Sequence, residues 1–377
     1  MMRPGILIVL GLLWAIPAWA APVYPPDVAW SGTVSQPSLP RPAYRQTVVD
    51  PVFGSNITRI SGDEMNPSSA HRIQHHYSKD QPWNADMTLI KLSGAVYILN
   101  ANDYTIFKQW NYHGNSRWST VDPSILFYTT GNQFRKVNVR TNVDTLVHTF
   151  SQGTIELGPS EGNISIGDGK VVFNVGQVAI VYDITNNVEL ASKNIGSAGS
   201  DWVSISASGN YVVTCPGSGN ADAYDLNLNF VRTLFSHCSH GDLGYDFANN
   251  ESVVMVCPNR MARLDTAAVT NLTPSECGHV STRNYNRRGW AYLSEFGVIY
   301  AKRLDGTNIV EQFAHHRSTQ ASYDSQAKCT VSPDGTKVMW NSDWGSGTVY
   351  AYVAEMPGNR GGSDASPPAA PRGLTVK

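Results

Sequence analysis

The chain is 377 residues long, with 28 basic and 30 acidic side chains and a formal charge of −2. A balance that close, with no basic block, excludes nucleic-acid binding through charge. Charged residues make up only 15 % and aromatics 10 %, beside many Gly, Asn, Ser and Thr, the composition of an all-β protein with long surface loops.

Residues 1–20 read MMRPGILIVLGLLWAIPAWA. Arg3, an apolar run from Ile6 to Ile16 and the small-x-small Ala18-Trp19-Ala20 predict a signal peptide, and hence a secreted or periplasmic protein starting at Ala21. No later stretch approaches 18 consecutive apolar residues, so no membrane insertion is expected. Residues 21–57 are Pro-rich and are expected to run extended over the surface. Residues 358–377 read as a Gly/Ser/Pro linker and tail.

Between them, one figure recurs. In its clearest form it is QAKCTVSPDGTKVMWNSDWG (326–345): a strand, the turn Ser332-Pro333-Asp334-Gly335, and a second strand with Val338 and Trp340. Degraded copies centre on Asp86, Asp122, Asp168, Ser208, Asn249 and Arg287, at gaps of 36 to 47 residues. Strand–turn–strand content repeating at roughly 40 residues predicts a β-propeller with one four-stranded antiparallel blade per repeat. Seven markers predict seven blades over residues 58–357, as one closed unit and a monomer.

Each marker turn follows the innermost strand of its blade, and the N-terminal end of that strand faces the funnel where propellers bind ligands. The residues ahead of the turns are His76, Ser78 and Gln81; Arg117 and Trp118; Glu161; Asp201 and Trp202; His240 and Asp242; His279 and Arg283; Gln326 and Lys328. A purely structural rim would hold Ser, Thr, Gly and apolar residues. This one concentrates ionisable side chains, and His240 and His279 fall at matching positions of consecutive blades. Trp83, Trp118 and Trp202 also recur in equivalent places, which favours packing between blades over sugar platforms.

Five cysteines, Cys215, Cys238, Cys257, Cys277 and Cys329, leave at least one unpaired, and their pairing cannot be deduced from spacing. His237, Cys238, Cys277 and His279 have the chemistry of a zinc or other divalent-metal set. A Cys238–Cys277 disulfide accounts for the same cysteines equally well in an oxidising compartment.

The run His76-Tyr77-Ser78-Lys79 with Gln81 and Asp86, then Gly278-His279, then SPDG followed by Ser342-Asp343, resembles the oligogalacturonate lyases, seven-bladed propellers that degrade pectin fragments. Ulvan lyases are similar propellers with a His/Tyr/Arg centre. The resemblance implies a manganese ion held by a histidine matching His279, with a Gln and two His ahead of the last SPDG. Here those positions are Tyr323, Gln326 and Lys328. One imidazole has become an ammonium, which shifts the expectation towards metal-free chemistry, with zinc, manganese or calcium as the alternative.

What the resemblance implies is a polysaccharide lyase acting on an anionic polysaccharide or oligosaccharide by β-elimination at a uronic acid. Such a reaction needs a base for the C5 proton, cations to neutralise the neighbouring carboxylate, and an acid for the leaving oxygen. His240 is the expected base, Arg283 and Lys328 the clamps, and Tyr245 or His279 the acid or second clamp. His76, Gln81, Arg117, Glu161, Trp202 and Gln326 are the expected sugar contacts. The alternatives are a non-catalytic propeller that binds anionic glycans and a TolB-like interaction scaffold.

Overall fold

The computed structural model describes residues 21–65, 73–92, 96–109, 115–159 and 161–359, the side chain of Glu64 excepted. The expected leader (1–20) and nearly all of the expected tail lie outside the described residues. Apart from a 3₁₀ turn at Asp63–Met65, no helix occurs among the described residues.

Seven antiparallel sheets form the ring. Strands β1 (Val28–Ala29), β2 (Thr47–Val49) and β3 (Asn56–Arg59) come first but belong to the last two blades. Blade one holds β4 (Leu89–Leu92), β5 (Tyr97–Asn100) and β6 (Ile106–Gln109). Blade two holds β7 (Ser116–Trp118), β8 (Ile125–Thr130), β9 (Gln133–Asn138) and β10 (Asp144–Thr149). Blade three holds β11 (Lys170–Val175), β12 (Val178–Asp183) and β13 (Val188–Asn194). Blade four holds β14 (Trp202–Ile205), β15 (Val212–Cys215), β16 (Ala221–Tyr224) and β17 (Phe230–Phe235). Blade five holds β18 (Gly241–Tyr245), β19 (Glu251–Met255), β20 (Arg260–Arg263) and β21 (Val269–Asn271). Blade six holds β22 (His279–Ser281), β23 (Trp290–Glu295), β24 (Val298–Arg303) and β25 (Ile309–His315). Blade seven holds β26 (Thr330–Val331), β27 (Lys337–Ser342) and β28 (Tyr350–Glu355).

All seven marker turns lie between the innermost and second strands. In blades one and three the innermost strand shrinks to isolated bridges, Trp83 to Ile90 in blade one and Glu156 to Asn174 and Ile164 to Val171 in blade three. Blade seven is completed by β3 pairing with β28, and β2 adds a fifth strand outside it. Joining the two chain ends in one sheet closes the ring and removes an open edge. The propeller therefore begins before residue 58, and Thr58 belongs to the last blade instead of opening the first. The segment ahead of it is not merely extended: β1 pairs with β25 as a fifth strand of blade six.

The core is seven separate clusters, each wedged between two neighbouring blades. Side chains alternate across a strand, so successive residues feed opposite clusters. Val338 and Trp340 face blade six, whereas Met339 between them faces blade one. Val171 and Phe173 pack towards blade two and Val172 towards blade four. Inner strands buried on both faces explain why KVVF or KVMW reads as a continuous apolar run.

Candidate functional site at the channel mouth

The inner strands run in the same sense round the channel, so their N-terminal ends share one mouth. Five blades deliver ionisable side chains there. Tyr77 and Lys79 enter from blade one, Glu161 from blade three, Asp201 and Trp202 from blade four, His240 from blade five and His279 from blade six. Lys328 and Tyr323 come from the approach to blade seven.

The imidazoles of His240 and His279 stack with ring centres 4.8 Å apart. Tyr77 crosses to them: its phenol oxygen is 2.9 Å from His240 Nδ1, and its ring meets His279 edge-on at 5.5 Å. The Lys79 ammonium pairs with Glu161 and sits 4.2 Å above the buried Trp202 ring. Lys328, also buried, places its ammonium 3.1 Å from the centre of the exposed Tyr323 ring.

Burial pushes the His240 imidazole below its ordinary value, helped by the neighbouring Lys79 ammonium. Burial with His240 and Lys328 alongside pushes His279 down to about 3. Both rings are therefore neutral at neutral pH. The Tyr77 phenol is driven well above the ordinary tyrosine range by burial and by the Glu161 carboxylate, so it stays protonated. Burial and Glu161 also raise the Asp201 carboxyl.

Two disulfides set the entry loops. Cys215 pairs with Cys238 and Cys257 with Cys277. Cys238 lies two residues ahead of His240, and Cys277 two ahead of His279. Gly278 packs so tightly that a Cβ there would come within 2.5 Å of the Glu295 side chain, which fixes how the chain turns into β22. Cys329 is free and buried.

Several expectations are corrected. The set His237, Cys238, Cys277, His279 does not form: both sulfurs are in disulfides with other partners, and His237 is exposed, its carbonyl accepting from Arg260. A Cys238–Cys277 bond is excluded for the same reason. Arg283 lies deeper in the channel, gripping Asp242 through Nε (3.0 Å) and Nη2 (2.8 Å). Arg117 is buried in the wall with Nε on the Gly162 carbonyl. Gln81 spends its amide on the Arg283 and Val331 carbonyls and takes the Trp83 N–H on its oxygen. Trp202 is buried and serves as a floor beneath Lys79, and Trp83 and Trp118 are buried too. Tyr245 lies at the far end of β18 from His240, under the Arg288 guanidinium.

His76 bonds Asp80 through Nδ1 at 3.1 Å and is half-buried. Asp80 also takes Lys91 at 2.6 Å, with Arg117 3.9 Å away. Together with the Arg283–Asp242 pair they form a belt of buried charge below the mouth. Gln326 is half-buried on the approach to Lys328. Tyr77 and Lys79 join the site although counting back from the turn does not select them; both stand in the His76–Lys79 run, and the hydroxyl and charge beside His76 are the signal the sequence carries.

A manganese or zinc ion does not fit these residues. The one cluster of three ligating groups among the described residues is Asp201 with Cys215 and Cys238, whose sulfurs are already bonded to each other. His279 Nε2 has no hydrogen-bond partner, but around that ring stand the His240 imidazole, the Tyr77 ring and the Lys328 and Lys79 ammonium groups, the latter paired with Glu161, and the ammonium charge opposes a divalent cation there.

The fold and site thus define a seven-bladed propeller whose channel mouth joins a neutral histidine pair to a tyrosine and two lysines. No protein-family model matches the chain, and no curated protein matches it. Among solved structures, an oligogalacturonate lyase in complex with manganese is similar with a TM-score of 0.59, over 83 % of this chain and 96 % of its own, at 15 % identity. The likeness lies in the fold.

Proposed function

We propose that the protein is a polysaccharide lyase that cleaves a uronic-acid-containing glycan by β-elimination, without a metal ion, outside the cytoplasm. The observation that carries the proposal is the Tyr77–His240 hydrogen bond, set between the ammonium groups of Lys79 and Lys328 at a channel mouth.

The substrate's carboxylate lies between the two ammonium groups, whose charge acidifies the C5 proton. His240 donates its Nδ1–H to the Tyr77 oxygen, which leaves Nε2 unprotonated and free to take that proton. The C5–H electron pair forms the C4–C5 double bond as the C4–O4 bond breaks. Tyr77, kept protonated by its surroundings, gives its hydroxyl proton to the leaving O4. The proton on His240 Nε2 and the one missing from Tyr77 are then restored by exchange with water. His279 stacks on His240 and keeps the ring from turning. Glu161 holds Lys79 in place.

The test is ultraviolet absorbance of the unsaturated uronate product after incubation with polygalacturonate and its oligomers, ulvan, alginate, glucuronan and glycosaminoglycans. A rise on one substrate, unchanged by a chelator, is expected. Silence on all of them, with and without added manganese, calcium and zinc, but with retained binding, overturns the proposal in favour of a glycan-binding propeller.

A further inference from the structure

Lys328 supplies one of the two ammonium groups at the channel mouth, yet only 2 % of it is exposed. A tyrosine ring lies over it. The centre of the Tyr323 ring is 3.1 Å from Nζ, although Tyr323 itself is 59 % exposed. A cation against an aromatic face is held by the ring's quadrupole, most strongly where water is excluded. Tyr323 also reaches over the mouth from the approach to blade seven. Burial, then the carboxylates of Glu161 and Asp201 on blades three and four, raise its phenol. Tyr323 in turn joins burial and Glu161 in raising the Tyr77 phenol. The ring therefore stands among the residues that meet the glycan, over a clamp that the glycan's carboxylate has to reach.

The backbone that carries Tyr323 is held on both sides. Ser322 donates its N–H to Ser325 Oγ at 2.9 Å, and the Ser325 and Gln326 N–H groups return to the Ser322 carbonyl at 3.1 and 3.2 Å. Upstream, the Thr319 N–H donates to Asp343 Oδ1 at 2.9 Å, and Arg317 donates to the Pro37 carbonyl at 2.9 Å. The loop need not move for the ring to leave. Exposed side chains change rotamer within nanoseconds, so rotation about χ1 uncovers the ammonium while the backbone stays in place.

We propose that Tyr323 is a substrate-facing gate on Lys328, displaced by the carboxylate of the entering glycan. The proposal rests on the reading of Lys328 as a carboxylate clamp. With the ring in place, the ammonium is shielded from any anion. With the ring turned out, a carboxylate accepts a charge-assisted hydrogen bond from Nζ, a stronger contact than the one it replaces. Only molecules with the ring turned out bind the carboxylate, so the covering contact lowers the apparent affinity.

Acylation of lysines with an N-hydroxysuccinimide ester, read by peptide mass spectrometry on the full chain, reports on the gate without any glycan. Exposed Lys136 is the internal reference. Lys328 is expected to react far more slowly than Lys136. Tyr323→Ala is expected to raise the Lys328 rate about tenfold and leave Lys136 unchanged. Tyr323→Phe keeps the ring face and is expected to leave both rates unchanged. Lys328 as slow in Tyr323→Ala as in the parent chain, or as fast as Lys136 in the parent chain, would overturn the proposal. On whichever glycan is cleaved, Tyr323→Ala is expected to raise kcat/KM about tenfold through a lower KM. A higher KM would make the ring a platform for the sugar and overturn the gate. If no glycan is cleaved, the lyase reading fails, and the labelling rates still decide whether Tyr323 guards Lys328.

Discussion

Tyr77 and His240, 163 residues apart in the chain, share a 2.9 Å hydrogen bond across the channel mouth. Neither strand end brings them together alone. The ring must close, with β3 completing blade seven, before the first and fifth blades face each other. A pair built from such distant segments reports on the whole fold as well as on local chemistry.

Removing either partner tests the pair. His240→Ala and Tyr77→Phe are each expected to lower kcat by about 10² to 10⁴ on the active glycan, with binding kept within a few-fold. Because the two act as one unit, the double variant is expected to fall little below the worse single one. Additive losses measured by steady-state kinetics would separate them into independent roles.

The pH profile follows from the same surroundings. His240 must be neutral to accept a proton, and burial lowers its affinity for one. The acidic limb of kcat/KM is therefore expected below pH 6.5, the ordinary histidine value, and the raised Tyr77 phenol adds no alkaline limb near neutrality. An acidic limb at or above 6.5 would point to another base.

The ring was legible in the sequence because the turns repeat a physical device. In the last copy the Asp334 carboxylate takes Ser332 Oγ (2.7 Å) and the Thr336 N–H (3.1 Å), and Gly335 stands at φ +77°. Asp168 and Asn249, two other markers, themselves occupy positive φ. Counting back from a turn finds the strand but not the depth along it. That count groups Arg283, Gln81 and Arg117 with His240, yet Arg283 is four residues beyond His279, about 13 Å of strand. Its partner Asp242 stands in another blade, and no spacing announces an ion pair of that kind. Disulfide pairing was equally invisible, because both bonds join a strand or turn to the next connecting loop.

In the proposed mechanism Lys79 takes the clamp role that the sequence reading gives to Arg283. Lys79→Met is expected to raise KM and lower kcat together, by about tenfold or more in kcat/KM, since an ammonium facing the carboxylate acts in both ground and transition states. It also strands Glu161 beside Tyr77. The variant Lys79→Met/Glu161→Gln removes that complication and is expected to recover part of the loss. Unchanged kinetics in both variants would confine Lys79 to holding the wall.

Stability should fall on mild acidification before the carboxylates titrate. Burial, the largest cause in each case, lowers His75 and His279 to about 3 and His316 to about 4. The unfolded chain protonates these rings below about pH 6.5 and the native state does not, so unfolding takes up protons and stability drops with pH. Glu295 opposes this: burial raises it to about 7, so the native state gains one proton there. The net uptake of about two protons gives a slope near 3 kcal/mol per pH unit between pH 6 and 5. Urea unfolding at graded pH measures it, and a flat profile over that range would contradict the buried neutral rings.

The Cys257–Cys277 bond closes a loop of sequence separation 20, a constraint on the unfolded chain of about 3 kcal/mol in the chain-entropy model. Its second role is local, because Cys277 precedes Gly278 and His279. Cys257→Ser/Cys277→Ser is therefore expected to lower Tm by several degrees and also to lower kcat/KM, as the loop into β22 loosens. Gly278→Ala separates the two effects. A Cβ there would meet the Glu295 Cγ at 2.5 Å and the Ser294 carbonyl at 2.6 Å, so the loop must shift with the disulfide intact. If His279 works by steadying His240, Gly278→Ala costs activity with the disulfide in place, and Gly278→Ser costs at least as much. Full activity in a folded Gly278→Ala protein would show that His279's position does not matter to the reaction, and would leave the disulfide a purely stabilising part.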